Sequence, residues 1–402
     1  MIWDVIIIGS GPAGLAAATA LKGLNVLLLE KENTLANKLR LSGAGQCNMT
    51  HHGPFEDFED KYGDKWRFIR PSMRAFTNED MIHYFKKHGC DVVVTDKGKV
   101  FPKSLKSQDV IDVLVDDIKS SVKINTSEPV LKVSYDEHYR VETNKAVYQS
   151  KYVIVATGGI SYPKTGSTGD GIKLAKRLDV TIKPYGYALS PIYVKEHLFS
   201  DLMGLSFENV SIDHFRGKKI NTYIGDLLIT HFGYSGPAII NASRWMEKSD
   251  RLFINFTSFK REALEEDLLL QIKNSPKKTI RTLLTKYVQN RMVDKILSSL
   301  TIDGQVLASE FNKKDRKKVV AMMTNYEVII DQVGKSHIAM VSKGGILTTE
   351  LNKKTFESKK NKGLYFVGEC VDIDGDTGGY NIQYAFSSGI AAGRHIKGCL
   401  DD

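Results

Sequence analysis

The chain has 402 residues, of which 42% are hydrophobic and 26% are charged, and its formal net charge at pH 7 is +9. These values are ordinary for a globular protein and exclude a disordered chain, a coiled coil and a collagen-like fibre. The length suits two or three structural units around one large core. Every apolar run is shorter than the roughly 18 residues that cross a bilayer, so we expect no membrane partner.

Cysteine usage and the N-terminal segment both indicate a cytoplasmic protein. The first apolar run ends in a glycine-rich turn instead of a cleavage site, so we expect no secretory signal. The four cysteines, Cys47, Cys90, Cys370 and Cys399, are far apart in the sequence, which disfavours a disulfide scaffold and a zinc ribbon. Because no cluster of His, Cys and carboxylate residues has metal-ligand spacing, we predict no metal site.

The first thirty residues predict a strand, a glycine turn, a helix and a second strand. Residues 3–8 form a mainly β-branched run, as expected for a strand buried on both faces of a parallel sheet. Residues 12–22 are rich in alanine and leucine, and Pro12 stands in the first turn, where its missing N–H costs little. Residues 25–30 form the second apolar run. Together they predict one right-handed βαβ unit.

The turn between the first strand and the helix has the pattern G-x-G-x-x-G. Gly9 permits the tight turn, Gly11 lets the backbone approach a pyrophosphate, and Gly14 lets the helix pack closely on the strand. Free N–H groups and the helix dipole would then face the phosphates. Glu30 ends the second strand, where a carboxylate accepts from ribose hydroxyls and repels a 2′-phosphate. This context predicts a bound dinucleotide without separating FAD from NAD.

Two features near the C-terminus favour FAD. Residues 364–369 form an apolar strand that ends in Gly-Glu, which would bring a carboxylate to the ribityl chain. The next segment has two glycines at the start of a predicted helix, beside Asn381. The N-terminal end of that helix would stabilise the negative charge of the reduced flavin. An ordinary strand-loop-helix connection is the alternative explanation of the same residues.

The two ends of the chain share a glycine-rich, strand-then-helix character that the middle lacks, which favours an insertion over two domains in series. We predict a FAD-binding domain whose first part is 1–190 and whose C-terminal part is 341–402. Between them we expect an inserted β-rich substrate domain at 191–258, a helical subdomain of three helical segments at 259–323, and return strands of the inserted domain at 324–340.

Six segments together resemble a family of bacterial NAD(P)/FAD-dependent oxidoreductases, and they are residues 38–50, 156–171, 230–239, 341–346, 355–359 and 368–393. Members of that family are described as aminoacetone oxidases or as NAD(P)-linked dehydro-bile-acid reductases. The resemblance implies an α/β fold with a glutathione-reductase-type FAD-binding Rossmann domain, an inserted β-barrel-like domain and a small helical subdomain. The family motif usually reads G-G-G-R-C-N, whereas this chain has Ala44 and Gln46 at the second glycine and the arginine. If that arginine contacts phosphate or substrate in relatives, the neutral Gln46 weakens the contact.

The predicted cofactor-binding residues come from the glycine turn, the end of the second strand, the 38–48 segment, a β-meander, the strand near 155 and the C-terminal motif. They are Gly9, Ser10, Gly11, Pro12, Ala13, Gly14, Glu30, Lys31, Lys38, Gly45, Gln46, Cys47, Asn48, Val130, Ala156, Thr157, Gly158, Tyr162, Gly368, Glu369, Gly379, Tyr380, Asn381 and Ile382.

Three side chains are candidates for catalysis. His231 could act as an acid or a base, and its alternative role is that of a structural histidine at a strand end. Tyr162 follows the Thr-Gly-Gly turn and could cover the flavin ring or donate to substrate, or it could serve packing alone. Lys343 could place a positive charge near the flavin or a substrate carboxylate, and otherwise it is a turn lysine that faces solvent.

We expect an FAD-dependent oxidoreductase that transfers hydride between flavin N5 and a small organic substrate. The reaction would be oxidation of an amine or aminoketone, or NAD(P)H-linked reduction of an unsaturated carbonyl compound. Because the chain has no second glycine motif of this kind, NAD(P)H would be a transient co-substrate. A disulfide reductase is disfavoured, although Cys47 and Cys370 could approach each other in space. The alternatives are an FAD-dependent tRNA-modifying enzyme and a flavin-binding protein without turnover.

The basic charge is concentrated in one part of the sequence. Residues 259–320 contain 14 Lys or Arg and 8 Asp or Glu, along patterns that predict helices with a solvated face. No run of aromatic residues alternates with these basic residues, so we expect no nucleic-acid partner. The sequence leaves the oligomeric state open.

Overall fold

The computed structural model describes residues 1–401. The chain divides into two compact units. The larger unit is formed by Met1–Ala188 together with the described residues from Lys335 onward, and the smaller unit is Leu189–Gly334. Among the described residues, no helix combines the length and the apolar character that crossing a bilayer requires.

The α-helices are α1 (Pro12–Ala20), α2 (Asn37–Leu41), α3 (Glu59–Tyr62), α4 (Trp66–Ala75), α5 (Asn78–Lys87), α6 (Ser107–Ile118), α7 (Asp170–Arg177), α8 (Pro237–Ala242), α9 (Arg261–Asn274), α10 (Ile280–Leu284), α11 (Asn290–Ser299), α12 (Lys313–Thr324) and α13 (Tyr380–Asp401). The strands are β1 (Ile2–Ile8), β2 (Val26–Leu29), β3 (Thr50–His51), β4 (Val92–Val94), β5 (Lys99–Pro102), β6 (Val122–Asn125), β7 (Val130–Tyr135), β8 (Tyr139–Thr143), β9 (Val147–Val155), β10 (Ile182–Ala188), β11 (Ile192–Val194), β12 (Ser206–Arg216), β13 (Lys218–Ile229), β14 (Gly233–Ser235), β15 (Arg251–Asn255), β16 (Tyr326–Val333), β17 (Val341–Ile346) and β18 (Leu364–Phe366).

The central sheet of the larger unit has the strand order of a Rossmann-type domain. Strands β6, β2, β1 and β9 are parallel neighbours in that order, and β18 pairs in parallel with β9. Leu29 pairs with Ile8, Ile8 with Val155, and Val155 with Phe366, so the carboxyl ends of four parallel strands lie in one row. Ligands of such sheets bind at this edge. The βαβ unit predicted from the first thirty residues is confirmed.

Helices α1 and α13 pack against each other with almost no side chain between them. A β-carbon at Gly389 would overlap the carbonyl oxygen of Ala13, and one at Gly393 would lie 2.8 Å from that of Ala17. Ala16 and Ala17, on the buried face of α1, are no more than 1% exposed. Small residues on both helices therefore allow the backbones to approach each other closely, because close packing leaves no space for a larger group.

The smaller unit contains a closed β-barrel. Its strands follow one another in the order β11, β14, β13, β12, β15 and β16, and β16 pairs with β11 to close the ring. The sequence predicts three helical segments after the barrel strands, whereas the structure has four, α9 to α12. The additional short helix is α10, which Thr279 caps by accepting a hydrogen bond from Thr282 N. The inserted barrel-like domain and the Rossmann-type α/β fold are confirmed.

We predict that Gly389→Ala destabilises the protein by about 2 kcal/mol, because the added methyl group must push α13 away from α1. Gly398→Ala, in the same helix, is the matched control because no atom of residues 1–401 lies within 4 Å of its β-carbon position. We expect the control to be neutral or to stabilise the protein by up to about 1 kcal/mol. Urea unfolding followed by circular dichroism gives both values, and equal stability of the two variants would contradict the close helix packing.

Candidate functional site

The glycine turn after β1 leaves open space at the N-terminus of α1. Gly9 has a φ of +101°, and a β-carbon there would lie 2.6 Å from Ala156 O. A β-carbon at Gly14 would overlap Gly9 O, whereas the position at Gly11 has no atom within 4 Å. No side chain caps the helix, and Pro12 occupies its first turn. The free backbone N–H groups in the first turn of α1 therefore have no side-chain partner, which suits an anion such as a pyrophosphate.

Glu30 lies at the carboxyl end of β2, beside this turn. Its Oε2 accepts hydrogen bonds from Ser10 N at 2.9 Å and Ser10 Oγ at 2.5 Å, and its Oε1 accepts from Glu32 N at 2.9 Å. The carboxylate is half-buried and held in one orientation by these three donors. Lys31 instead forms an ion pair with Asp170 at 2.6 Å, across to the start of α7. In this structure Lys31 thus joins the segment after β2 to the start of α7.

A half-buried ion pair joins α2 to the C-terminal motif. Lys38 Nζ lies 2.7 Å from Glu369 Oε2 and donates to Ser161 Oγ at 2.5 Å. Glu369 Oε1 accepts from Ser342 N at 2.7 Å. These four residues come from α2, the turn after β9, β17 and the segment after β18, and they meet at one place in the larger unit. The structure thus brings together Lys38 and Glu369, which were predicted from distant motifs.

Ser161 and Ser342 belong to this cluster but were absent from the predicted site. Ser342 Oγ accepts from Ile160 N at 2.8 Å and from Ser161 N at 3.2 Å. A β-carbon at Gly159 would overlap Ser342 Oγ. Both serines stand in segments that carry the family resemblance, but their pairing across about 180 residues leaves no local sequence signal. The geometry makes the second glycine of the Thr-Gly-Gly turn a packing requirement.

The start of α13 is shaped by two glycines and one asparagine. Gly378 and Gly379 have φ values of +125° and +99°, and a β-carbon at Gly379 would lie 2.5 Å from Thr50 O. Asn381 donates to the carbonyl oxygens of Gly375 and Asp376 at 2.9 and 3.3 Å and accepts from Gly375 N at 2.9 Å. Its side chain therefore fixes the loop before the helix.

Buried polar atoms without partners test whether the predicted residues fit a dinucleotide. Asn48 Oδ1 and Thr157 Oγ1 are both buried and make no hydrogen bond within the described part of the chain. Both residues belong to the predicted cofactor set. Since buried polar groups are nearly always hydrogen-bonded, these atoms fit a bound group that supplies polar partners. The uncapped start of α1 and these two atoms are compatible with FAD.

The thiols at the site are buried and protonated. Burial raises the pKa of Cys47 to about 12 and that of Cys370 to about 12. All four cysteines are free, and Cys399 alone is exposed. A disulfide reductase needs a reactive dithiol, so the structure gives no support to that class.

The remaining predicted residues occupy several places. Ala156, Thr157 and Gly158 follow β9, and Gly368 follows β18, where its β-carbon position lies 2.8 Å from Ala13 Cβ. Val130 begins β7 and is half-buried, like Gly45 and Ile382. Gln46, at the family's arginine position, is exposed, whereas Tyr380 is buried and stacks on His51 with ring centroids 5.1 Å apart.

The three catalytic candidates lie in different surroundings. Tyr162 is half-buried and has a φ of +54°, which is uncommon for a bulky residue. Lys343 lies in β17 with its aliphatic chain along Gly186, whose β-carbon position is 3.2 Å from Lys343 Cε. His231 is an exposed residue of the smaller unit, with its ring edge against Phe232.

A buried carboxylate that sequence reasoning missed holds the backbone beside Lys343. Asp372 is 2% exposed, lies 2.8 Å from Lys65 Nζ, and accepts from Gly344 N at 3.0 Å. Lys183 Nζ is 3.6 Å away from it. The glycine pair after Lys343 is thereby fixed to the C-terminal segment.

We predict that one thiol per native chain reacts rapidly with Ellman's reagent at pH 8, and that it is Cys399. A raised pKa leaves less thiolate at a given pH, so a thiol with a pKa near 12 is about one ten-thousandth ionised at pH 8. Cys399→Ser should remove the rapid phase, and unfolding in guanidinium should release the other thiols. A rapid phase that survives in Cys399→Ser would show that Cys47, Cys90 or Cys370 is accessible and ionised.

Comparison with known proteins agrees with the fold. A family model described as "HI0933-like protein Rossmann domain" matches residues 3–395. The chain is 29% identical over 399 residues to an Escherichia coli protein named ribosomal RNA dihydrouridine synthase, with 98% of each chain covered. It is 29% identical to the Haemophilus influenzae protein of the same name, again with 98% of each covered.

A third relative carries a different name. The chain is 26% identical over 403 residues to the 3-dehydro-bile acid delta(4,6)-reductase of Clostridium scindens, with 96% of this chain and 97% of the relative covered. These relatives match along nearly their whole lengths, as the family model does. The chain therefore belongs to the HI0933-like Rossmann family.

Proposed function

We propose that this protein is an FAD-dependent oxidoreductase that reduces a carbon–carbon double bond conjugated to a carbonyl group. The observation that carries the proposal is the row of four strand ends with the uncapped α1 N-terminus and the Lys38–Glu369 pair beside it. FAD would supply hydride transfer at N5. Family membership supports the same cofactor.

Different residues of the candidate site would bind different parts of FAD. The turn at Gly9–Gly14 and the start of α1 would bind the pyrophosphate through backbone N–H groups. Glu30 would accept from the adenosine ribose, and its three donors hold the carboxylate in one orientation. Lys38 and Glu369 would contact the ribityl chain, which would also supply a hydrogen-bond partner to Asn48 Oδ1, an atom that has none within the described residues.

The names of the relatives support this reaction class. Dihydrouridine is uridine whose ring double bond next to a carbonyl is saturated, and a delta(4,6)-reductase saturates double bonds of a 3-keto compound. Both reactions deliver a hydride to one carbon of a conjugated double bond and a proton to its neighbour. NAD(P)H would provide the hydride as a transient co-substrate. We include a uracil base of RNA as a substrate candidate because two full-length relatives carry that name and the chain is basic.

Tyr162 is the candidate proton donor. Its strained backbone conformation is of the kind that concentrates at functional sites, and its neighbour Ser161 contacts both Lys38 and Glu369. Lys343 would stabilise negative charge on the substrate carbonyl. His231 stays a prediction as an acid or a base.

The first experiment is the absorption spectrum of the purified protein, in which FAD gives a band near 450 nm. Under anaerobic conditions we expect NADPH or NADH to bleach the band, and a conjugated carbonyl compound to restore it. Parallel samples receive cyclohex-2-enone, free uridine or a uridine-containing RNA transcript, and mass spectrometry looks for a gain of 2 Da. Rapid reoxidation by oxygen with no response to any of these acceptors would favour an amine or aminoketone oxidase instead.

We predict that Tyr162→Phe lowers the rate of reoxidation by the double-bond substrate by at least 100-fold, as expected when a general acid is removed. The rate of flavin reduction by NAD(P)H should change by less than about twofold. Tyr135→Phe, at an exposed tyrosine of β7, is the control and should match the wild type. Equal reoxidation rates for the two variants would assign Tyr162 to packing.

A further inference from the structure

Most of the net charge of the chain resides in one stretch of the smaller unit. Residues 273–318 contain twelve Lys or Arg and four Asp or Glu, whereas the whole chain has a formal charge of +9. The stretch runs from the last turn of α9 through α10 and α11 into the first half of α12. This concentration of basic residues creates a local positive electrostatic potential. The fold itself does not require such a potential.

The chain brings both ends of this stretch together. Ala308 N donates to Lys278 O at 2.8 Å, and Ser309 N donates to Pro276 O at 3.1 Å, so the loop after α9 pairs with the segment before α12. Arg316 of α12 lies 3.7 Å from Glu265 of α9, and Phe256 N, before α9, donates to Met323 O near the end of α12 at 2.9 Å, so the two helices are antiparallel. The end of α9 and the start of α12 therefore lie at the same end of the helical group.

Six exposed lysines occupy that end, and we call them the lysine surface: Lys273, Lys277, Lys278, Lys313, Lys314 and Lys317. Within residues 1–401, no carboxylate lies within ion-pair distance of any of them. Other cations of the region do have acidic partners, among them Arg281 with Asp294, Lys295 with Asp201, and Lys318 with Asp315. The lysine surface thus carries positive charge that no ion pair within the described residues neutralises, and Asp315 is the carboxylate that interacts with one of these lysines, Lys314, at longer range.

We propose that the lysine surface binds the phosphate backbone of RNA, which makes RNA the substrate class of the reductase proposed above and rests on that proposal. Uncompensated lysines are typical of surfaces that neutralise phosphates and release counterions. Backbone contacts of this kind position a nucleic acid without reading its bases, so they need no interleaved aromatic residues.

The three lysines of α12 fit RNA better than a lipid bilayer. A helix that lies on a membrane needs a polar face and an exposed apolar face. The large apolar side chains of α12 are instead buried in the core of the smaller unit, as Val319, Val320 and Met323 show, so α12 offers charge alone to a partner. Because α9 exposes Leu269 and Leu270 one turn before Lys273, the test below includes lipid vesicles.

The test is fluorescence anisotropy of a fluorescein-labelled RNA hairpin titrated with the full-length protein between 50 and 200 mM KCl. The variant is Lys313→Gln/Lys314→Gln/Lys317→Gln, which removes three charges from one face of α12. The control is Lys97→Gln/Lys353→Gln/Lys354→Gln, which removes three exposed lysines of the larger unit that also lack acidic partners. The two triple variants have identical net charge, so any difference between them is due to position.

We expect the α12 variant to bind the hairpin about tenfold or more weakly at 50 mM salt, and the slope of log K against log[KCl] to become shallower by roughly two to three. The control should change both quantities much less. Lys→Arg at the three α12 positions should restore binding because it restores the charge. Thermal melting of each variant checks the fold.

Three results would overturn the proposal: equal binding by both triple variants, no binding of RNA by the wild type at 50 mM salt, or binding to phosphatidylglycerol vesicles with none to RNA. The same samples report on the flavin. Bleaching of the 450 nm band by NAD(P)H without RNA binding would leave the proposed reductase standing and remove the lysine surface. A colourless protein that does not take up FAD would remove the proposed function itself.

Discussion

The larger unit depends on the close contact that the backbone of α1 makes on two sides. Gly14 brings the helix against the turn at Gly9, and Gly389 brings α13 against the same helix from the C-terminal part of the chain. These contacts place the first and last segments of the unit within one packed layer. Glu30 directly follows β2 and Glu369 lies shortly after β18, so both carboxylates stand at the ends of strands in the sheet that α1 packs on. Close packing of backbone on backbone leaves little freedom for these positions to drift.

Much of this arrangement could be predicted from the sequence because its signals are local. A glycine pattern after an apolar run and before an alanine-rich segment determines a strand, a turn and a helix within thirty residues. The apolar run at 364–366 and the glycines at 378 and 379 determine a second such unit. The barrel was expected from family resemblance, and α10 was not expected because five residues are too short a stretch for periodicity to show.

The contacts that complete the candidate site could not be predicted in the same way. Ser161, Ser342 and Asp372 act through partners on distant segments, and no spacing rule links them. Burial likewise decides the state of Cys47 and Cys370, because removal of their thiols from water raises both pKa values. The basic stretch at 273–318 contains features that could be predicted from the sequence and others that could not. The sequence predicts a solvated face. On it, Arg281 and Lys295 have acidic partners, whereas the six lysines have no carboxylate of residues 1–401 within ion-pair distance.

The strand by which the chain leaves the larger unit pairs with the strand by which it returns. In the smaller unit, the first and last strands also pair with each other. Ala188 pairs with Val341 in the larger unit, and β11 pairs with β16 in the smaller one. The 146 residues between them therefore begin and end at almost the same place, as a loop of a few residues would. An ancestor could have acquired such a module within one hairpin connection at a low entropic cost of loop closure. Modularity of this type lets the inserted part of a lineage diversify while its Rossmann framework is inherited unchanged.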